Sequence, residues 1–400
     1  MSPRKYPEEE HFVAPGKIVQ HVSLAAAEGV SLGLRGMEAW QRASVKRTPV
    51  KIYDLNGKLL FLDYSIARGG EVIGTVRAAA SKVLGLPIFA HELGPRSWNF
   101  NAAVEKLTPK VKKEHPKWTL VDTKLICYSY PKLGVLFSLK DEAGKEQRLI
   151  FDIADLSLIP EGTPTNGNEG AYAWSFYDSL SDTERRRRLR NFDQADSNIM
   201  QLSENVKSLL QQDSISKISV AVGGLLTLIK TKELQFCSHY AYTEARSHHC
   251  FSLHGQQVND YCAVATCQMI LCYYRYYYTQ DQIAPALNYS AGGGCPSDQS
   301  NGYKTLTGNH LDSTFDASPT WEKARDQIDG LHPLKSGING HARACAGYSS
   351  NLLASLSQKK LYIYDPWPWN ADFKLAGTIT WEDWNSLTHT NYVYTRLIYP

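Results

Sequence analysis

The sequence has eight cysteines but no CxxC pair, which removes the zinc-ribbon reading. Eight thiols spread over 400 residues are also too few to indicate a disulfide scaffold, so they read mostly as small buried side chains. Charge of one sign is missing as well. With 43 basic and 40 acidic residues the formal net charge is +3, and charge gives no reason to expect a nucleic-acid partner. Long apolar runs are absent, and the stretch around Val220 to Ile229 is too short and interrupted to enter a bilayer, so no membrane insertion is expected. The opening MSPRKYPEEEHFVAPGK has no apolar core of a secretory leader. A cytoplasmic location is the default, with secretion the alternative if a leader has been removed.

What is present is a folded composition, 43% hydrophobic and 21% charged, in a chain long enough for two cores. PVKIYDLNGKLLFLDYSI reads as strand, Asn-Gly turn and strand, because period-two apolar positions flank the turn. LGVLFSL and QRLIFDI flank the charged turn KDEAGKE in the same way. HVSLAAAEGVSLGLRGMEAWQRA is the one helical stretch before them. Residues 1–160 are therefore expected to form an α+β prodomain or regulatory domain. PEGTPTNGNEG opens a linker over 161–180, and 181–400 forms the second domain with a helical lead-in.

Ser181 and Glu184 have capping-box spacing, and the run Arg185 to Arg188 belongs to the helix they begin. That run reads as a solvated face, with a processing site or acidic partner as the competing reading. A second helix is expected over 195–212, with Ile199, Leu202, Val206, Leu209 and Leu210 on its apolar face.

The chemistry concentrates around GQQVNDYCAVATCQMILCYY, where a turn-like Asn-Asp precedes a cysteine and helix-length apolar sequence follows. In the first turn of a helix, unpaired N–H groups and the positive dipole end favour the thiolate of Cys262. Cys267 and Cys272 fall inside the helix and off any common stripe, so no metal site is expected, and no cofactor is called for. Gln256, with Gln257 as rival, is placed to donate to an oxyanion alongside the Cys262 N–H. GINGHARACAGY supplies His341 as acid and base, and YIYDPWPWN supplies Asp365 to orient it and to favour its charged form. His239, His248, His249, His254 and His310 are the other histidines considered, and Trp367 and Trp369 are read as packing. SAGGGCPSDQSNG competes as a cleft wall or an ordinary loop.

These motifs resemble the papain-like cysteine peptidase superfamily, in particular its streptopain and C39-like branches. The resemblance places Gln256 six residues before the nucleophile Cys262, His341 on the histidine strand and Asp365 at the later Asp-Pro strand end. It implies an α+β papain-like domain, with a cysteine-bearing helix packed on an antiparallel sheet. The implied activity is a cysteine endopeptidase acting through an acyl-enzyme on a peptide or protein substrate. KIYDLNGKLLFLDYSI more weakly resembles a streptopain-like propeptide, so the chain is expected to be a zymogen whose N-terminal domain is an intramolecular partner. A transpeptidase, a deamidase and an inactive peptide-binding protein remain the alternatives.

Overall fold

The computed structural model describes residues 6–162, 172–210, 215–223, 228–234, 250–353 and 356–398. Residues 163–171 of the expected linker lie outside these residues. Helix α1 (Pro15–Ser31) starts at a proline, where a missing N–H costs nothing, and ends ahead of Gly33 at φ +61°. Sequence from Leu32 onward that was expected to continue the helix instead turns twice at glycine and resumes as a short 3-10 turn over Glu38–Arg42.

Eight strands follow in the N-terminal part: β1 (Ser44–Val45), β2 (Val50–Tyr53), β3 (Leu59–Arg68), β4 (Glu71–Ala79), β5 (Ile88–Leu93), β6 (Thr119–Ser129), β7 (Lys132–Lys140) and β8 (Glu146–Asp152). Helix α2 (Phe100–Glu114) packs on β6 and β7. The β2–β3 hairpin turns at Asn56-Gly57, with Gly57 at φ +87°, a conformation that a Cβ disfavours. The β7–β8 hairpin turns through KDEAGKE, where the sequence places it.

After the short helix α3 (Phe176–Ser179) comes α4 (Asp182–Leu210), one 29-residue helix where two segments were expected. Its cap is half of a capping box: the Ser181 hydroxyl accepts from Glu184 N at 3.3 Å, while the Glu184 carboxylate binds Arg188 and Thr388. Arg188 corrects the solvated-face reading. It is 3% exposed and donates to Leu84 O, Ser386 O and Glu184, tying the N-terminal layer to the last strands. Arg186 and Arg187 remain exposed. Helix α5 (Ile215–Gly223) packs on α1.

The remaining strands are β9 (Leu228–Glu233), β10 (Leu311–Asp316), β11 (Leu334–Ile338), β12 (His341–Leu353), β13 (Leu356–Asp365), β14 (Thr378–Asp383) and β15 (His389–Leu397). Their pairings with one another are all antiparallel. Helix α6 (Cys262–Tyr273) follows Tyr261 and packs on β11 and β12, and all twelve of its residues are buried. A helix apolar on every side belongs in a core, and burying Val264, Met269, Ile270 and Leu271 contributes about 1.5–3 kcal/mol each.

The sheet does not stop at the boundary between the two parts. Its order is β10-β15-β11-β12-β13-β14-β5-β4-β3-β2-β6-β7-β8, with β5 hydrogen-bonded antiparallel to β14. Among the described residues the one parallel pairing of named strands, β2 with β6, makes the sheet mixed as a whole. The N-terminal residues thus form an α+β layer joined strand to strand with the C-terminal sheet. Among the described residues no helix is long and apolar enough to cross a membrane.

Candidate active site

Cys262 is the first residue of α6, as the sequence places it, and Asn259-Asp260 form the turn before it. Asp260 shapes the approach: its carboxylate accepts from Tyr289 OH at 2.9 Å and from Gly292 N at 2.8 Å, pinning the glycine-rich loop beside the helix start. The sequence marks this residue only as part of the turn-like Asn-Asp, and its hold on a loop some thirty positions away has no local signal.

His341 opens β12 and Asp365 closes β13, and the antiparallel pairing of these strands brings the two ends together. His341 Nε2 and Asp365 Oδ1 are 2.8 Å apart. The same oxygen accepts from Trp367 N at 2.8 Å, which fixes the carboxylate at the Asp-Pro turn. His341 Nδ1 is left buried with no hydrogen-bond partner, on the strand that packs against α6.

Burial dominates the electrostatics of the imidazole. Desolvation lowers the His341 pKa to about 4, against the pull of Asp365, and the charges of Lys132 and Arg343 push the same way as burial. Asp365 acts in the expected direction, toward the charged ring, without overcoming that desolvation. The carboxylate favours the imidazolium, but the loss of water outweighs it.

Gln256 lies at the same place in the fold, since its N–H donates to Pro366 O at 2.9 Å and its carbonyl accepts from Asn370 N at 3.1 Å. Its side chain is fully buried and donates to Val258 O at 3.0 Å and to Asn259 O, leaving Oε1 without a partner. In this arrangement the amide braces the turn before Cys262. Gln257 points elsewhere, half-exposed and donating to Ala371 O at 3.1 Å.

Gly255 explains the small residue before Gln256. A Cβ there would stand 2.0 Å from Ala376 Cβ. Gly255→Ala is expected to destabilise the fold by about 1–3 kcal/mol through overpacking, seen as a lower urea midpoint.

Of the other histidines, His254 is hydrogen-bonded to Ser252 at 3.1 Å and packed on Phe373, and His310 is exposed beside Tyr276 OH. His239, His248 and His249 lie outside the described residues. Cys127, Cys262, Cys267, Cys272, Cys295 and Cys345 are buried thiols outside any disulfide, whereas Cys250 is disulfide-bonded.

Residues 244–391 match the Peptidase_C39 like family. The matched segment includes Cys262, Gln256, His341 and Asp365, and in it a cysteine-headed helix packs on an antiparallel sheet. Among solved structures the chain is similar to UfSP from C.elegans, with 11% identity and a TM-score of 0.29. That likeness covers 65% of this chain and 62% of the other, so it spans less than two thirds of that structure. No curated protein matches.

The C39-like segment is covered by residues that precede it. Ser129, Lys132 and Trp174 crowd Gly340, the residue before His341: a Cβ on Gly340 would lie 2.6 Å from the Trp174 ring and 3.2 Å from Ser129 Oγ. Asn259 Nδ2 donates to Ser157 Oγ at 2.7 Å, and Trp367 Nε1 donates to Asp152 Oδ2 at 3.1 Å. Cys262, Gln256 and His341 are 0% exposed and Asp365 is 4% exposed. These covering residues were missed in the sequence because their contacts are non-local.

Proposed function

We propose that the chain is a cysteine peptidase in its covered, resting form. The observation that carries this reading is the His341–Asp365 pair, which leaves Nδ1 as the imidazole atom without a partner, on the strand against which the Cys262 helix packs. In the reaction, Nδ1 takes the Cys262 proton and the thiolate attacks a peptide carbonyl. The imidazolium then protonates the departing amine, and a water activated by His341 hydrolyses the acyl-thioester. The Cys262 N–H at the helix start stabilises the oxyanion. The Gln256 amide joins it by giving up one of the two loop carbonyls it holds in the resting form.

The zymogen reading rests on the burial of the four residues and on the contacts made by Ser129, Lys132, Asp152, Ser157 and Trp174. Uncovering the site requires these contacts to separate, whether or not residues 1–160 are cut away.

Incubating the chain with a mixture of unstructured peptides and added glycinamide, and identifying products by mass, separates the reactions that share a thioester. New carboxyl termini are the expected products. Glycinamide adducts alone would assign a transferase, and glutamine-to-glutamate conversion alone a deamidase.

A further inference from the structure

Lys132, the first residue of β7, is fully buried, and its ammonium makes one hydrogen bond, to Gly340 O at 3.2 Å. Among the described residues no carboxylate pairs with it. Other buried cations have more partners: Arg77 holds Asp63 and Glu92, Arg188 holds Glu184, Arg343 holds Glu382, Lys360 holds Glu28, and Lys335 donates to both Ser297 O and Asn391 Oδ1. A buried ammonium without a counter-ion is costly, and a methionine of similar size would pack there without that penalty. Its position suggests what the charge does. Lys132 comes from the N-terminal layer and sits against the residue that precedes His341.

We propose that Lys132 is the residue through which the N-terminal layer silences the site, binding the Gly340 carbonyl and setting a positive charge beside the imidazole. This rests on the reading of Cys262 and His341 as a thiol–imidazole pair. Activation breaks the Cys262 S–H bond, leaves the electron pair on sulfur and moves the proton to His341 Nδ1. That step places a second cation next to the first. Asp365 favours it, while Lys132 and Arg343 oppose it. Arg343 lies on β12 with the histidine and stays whatever the N-terminal layer does, but Lys132 departs with that layer. Uncovering the site therefore removes the block and the opposing charge together.

The test uses the full chain with Lys132→Met, Lys132→Gln and Lys132→Arg, each checked for folding by circular dichroism. The rate at which iodoacetamide alkylates Cys262 is followed by peptide mass spectrometry between pH 4.5 and 8. The neutral variants are expected to react at least about tenfold faster near pH 5.5, the population change of one pKa unit, with the profile moved toward acid. Lys132→Arg keeps the charge and should stay within about twofold of the unaltered chain. Equal rates in the unaltered chain and in whichever neutral variant folds would overturn the proposal, as would an equal gain in Lys132→Arg. If peptides are hydrolysed but labelling is unmoved by neutralising Lys132, this inference fails and the peptidase reading stands. Faster labelling with no hydrolysis in any variant has the reverse meaning.

Discussion

Cys262→Ala is expected to abolish peptide hydrolysis, lowering kcat by at least about 10³-fold, and His341→Ala should come within about tenfold of the same loss. The two effects should not add in the double variant, because the thiol without its base and the base without its thiol disable one proton transfer. Cys262 is fully buried on a helix whose other eleven residues are buried too, so removal of the sulfur leaves the packing of α6 in place. Near-unchanged circular dichroism with lost turnover is thus the expected pair of results. Turnover retained by well-folded Cys262→Ala would assign the chemistry to another group.

The second large effect concerns the seam that joins the two parts of the sheet. Arg77 on β4 grips Asp63 on β3 through Nε and Nη2, at 2.9 and 2.8 Å, and reaches Glu92 on β5 at 2.9 Å. Arg77 is 1% exposed and Asp63 is fully buried, so neither can exchange its partner for water. Arg77→Met is expected to cost about 3–5 kcal/mol, because it strands the Asp63 carboxylate in the core. The double variant Asp63→Leu with Arg77→Met should recover much of that loss, since it removes the orphaned charge as well. Urea unfolding of the unaltered chain, Arg77→Met and the double variant measures both numbers. A single variant as stable as the unaltered chain would show that water reaches Asp63.

β5 pairs with β14, the strand next to the one that ends at Asp365. Arg343 on β12 binds Glu382 on β14 at 2.5 Å, and Tyr130 of the N-terminal layer reaches the same glutamate at 3.3 Å. The seam that Arg77 supports thus runs into the strands that present His341 and Asp365. Loosening it should disturb the site as well as the fold.

Local signals account for most of what could be read from the sequence. The cysteine opening α6, the Asn-Gly hairpin, the β7–β8 turn, and the placement of His341 and Asp365 at strand ends each depend on a few neighbouring residues. What local signals miss most often is burial by distant chain. Four adjacent arginines look solvated until Leu84 and Ser386 close over Arg188. A histidine beside a carboxylate looks charged until desolvation is weighed against the pair. The division of α4 into two helices failed for a different reason. The polar stretch Asn191 to Asn198 lacks glycine and proline, and Phe192 anchors it in the core, so nothing stops the helix. The β5–β14 pairing and the ammonium of Lys132 leave no local trace at all, because both depend on residues more than two hundred positions away.

The most direct measurement is to acid-quench the chain during turnover of an activated peptide ester and map the covalent intermediate by mass spectrometry. An acyl group on Cys262, absent from Cys262→Ala and failing to build up in His341→Ala, is the predicted result. Hydrolysis that proceeds with the acyl group on a different side chain, or with Cys262 never modified, would contradict it.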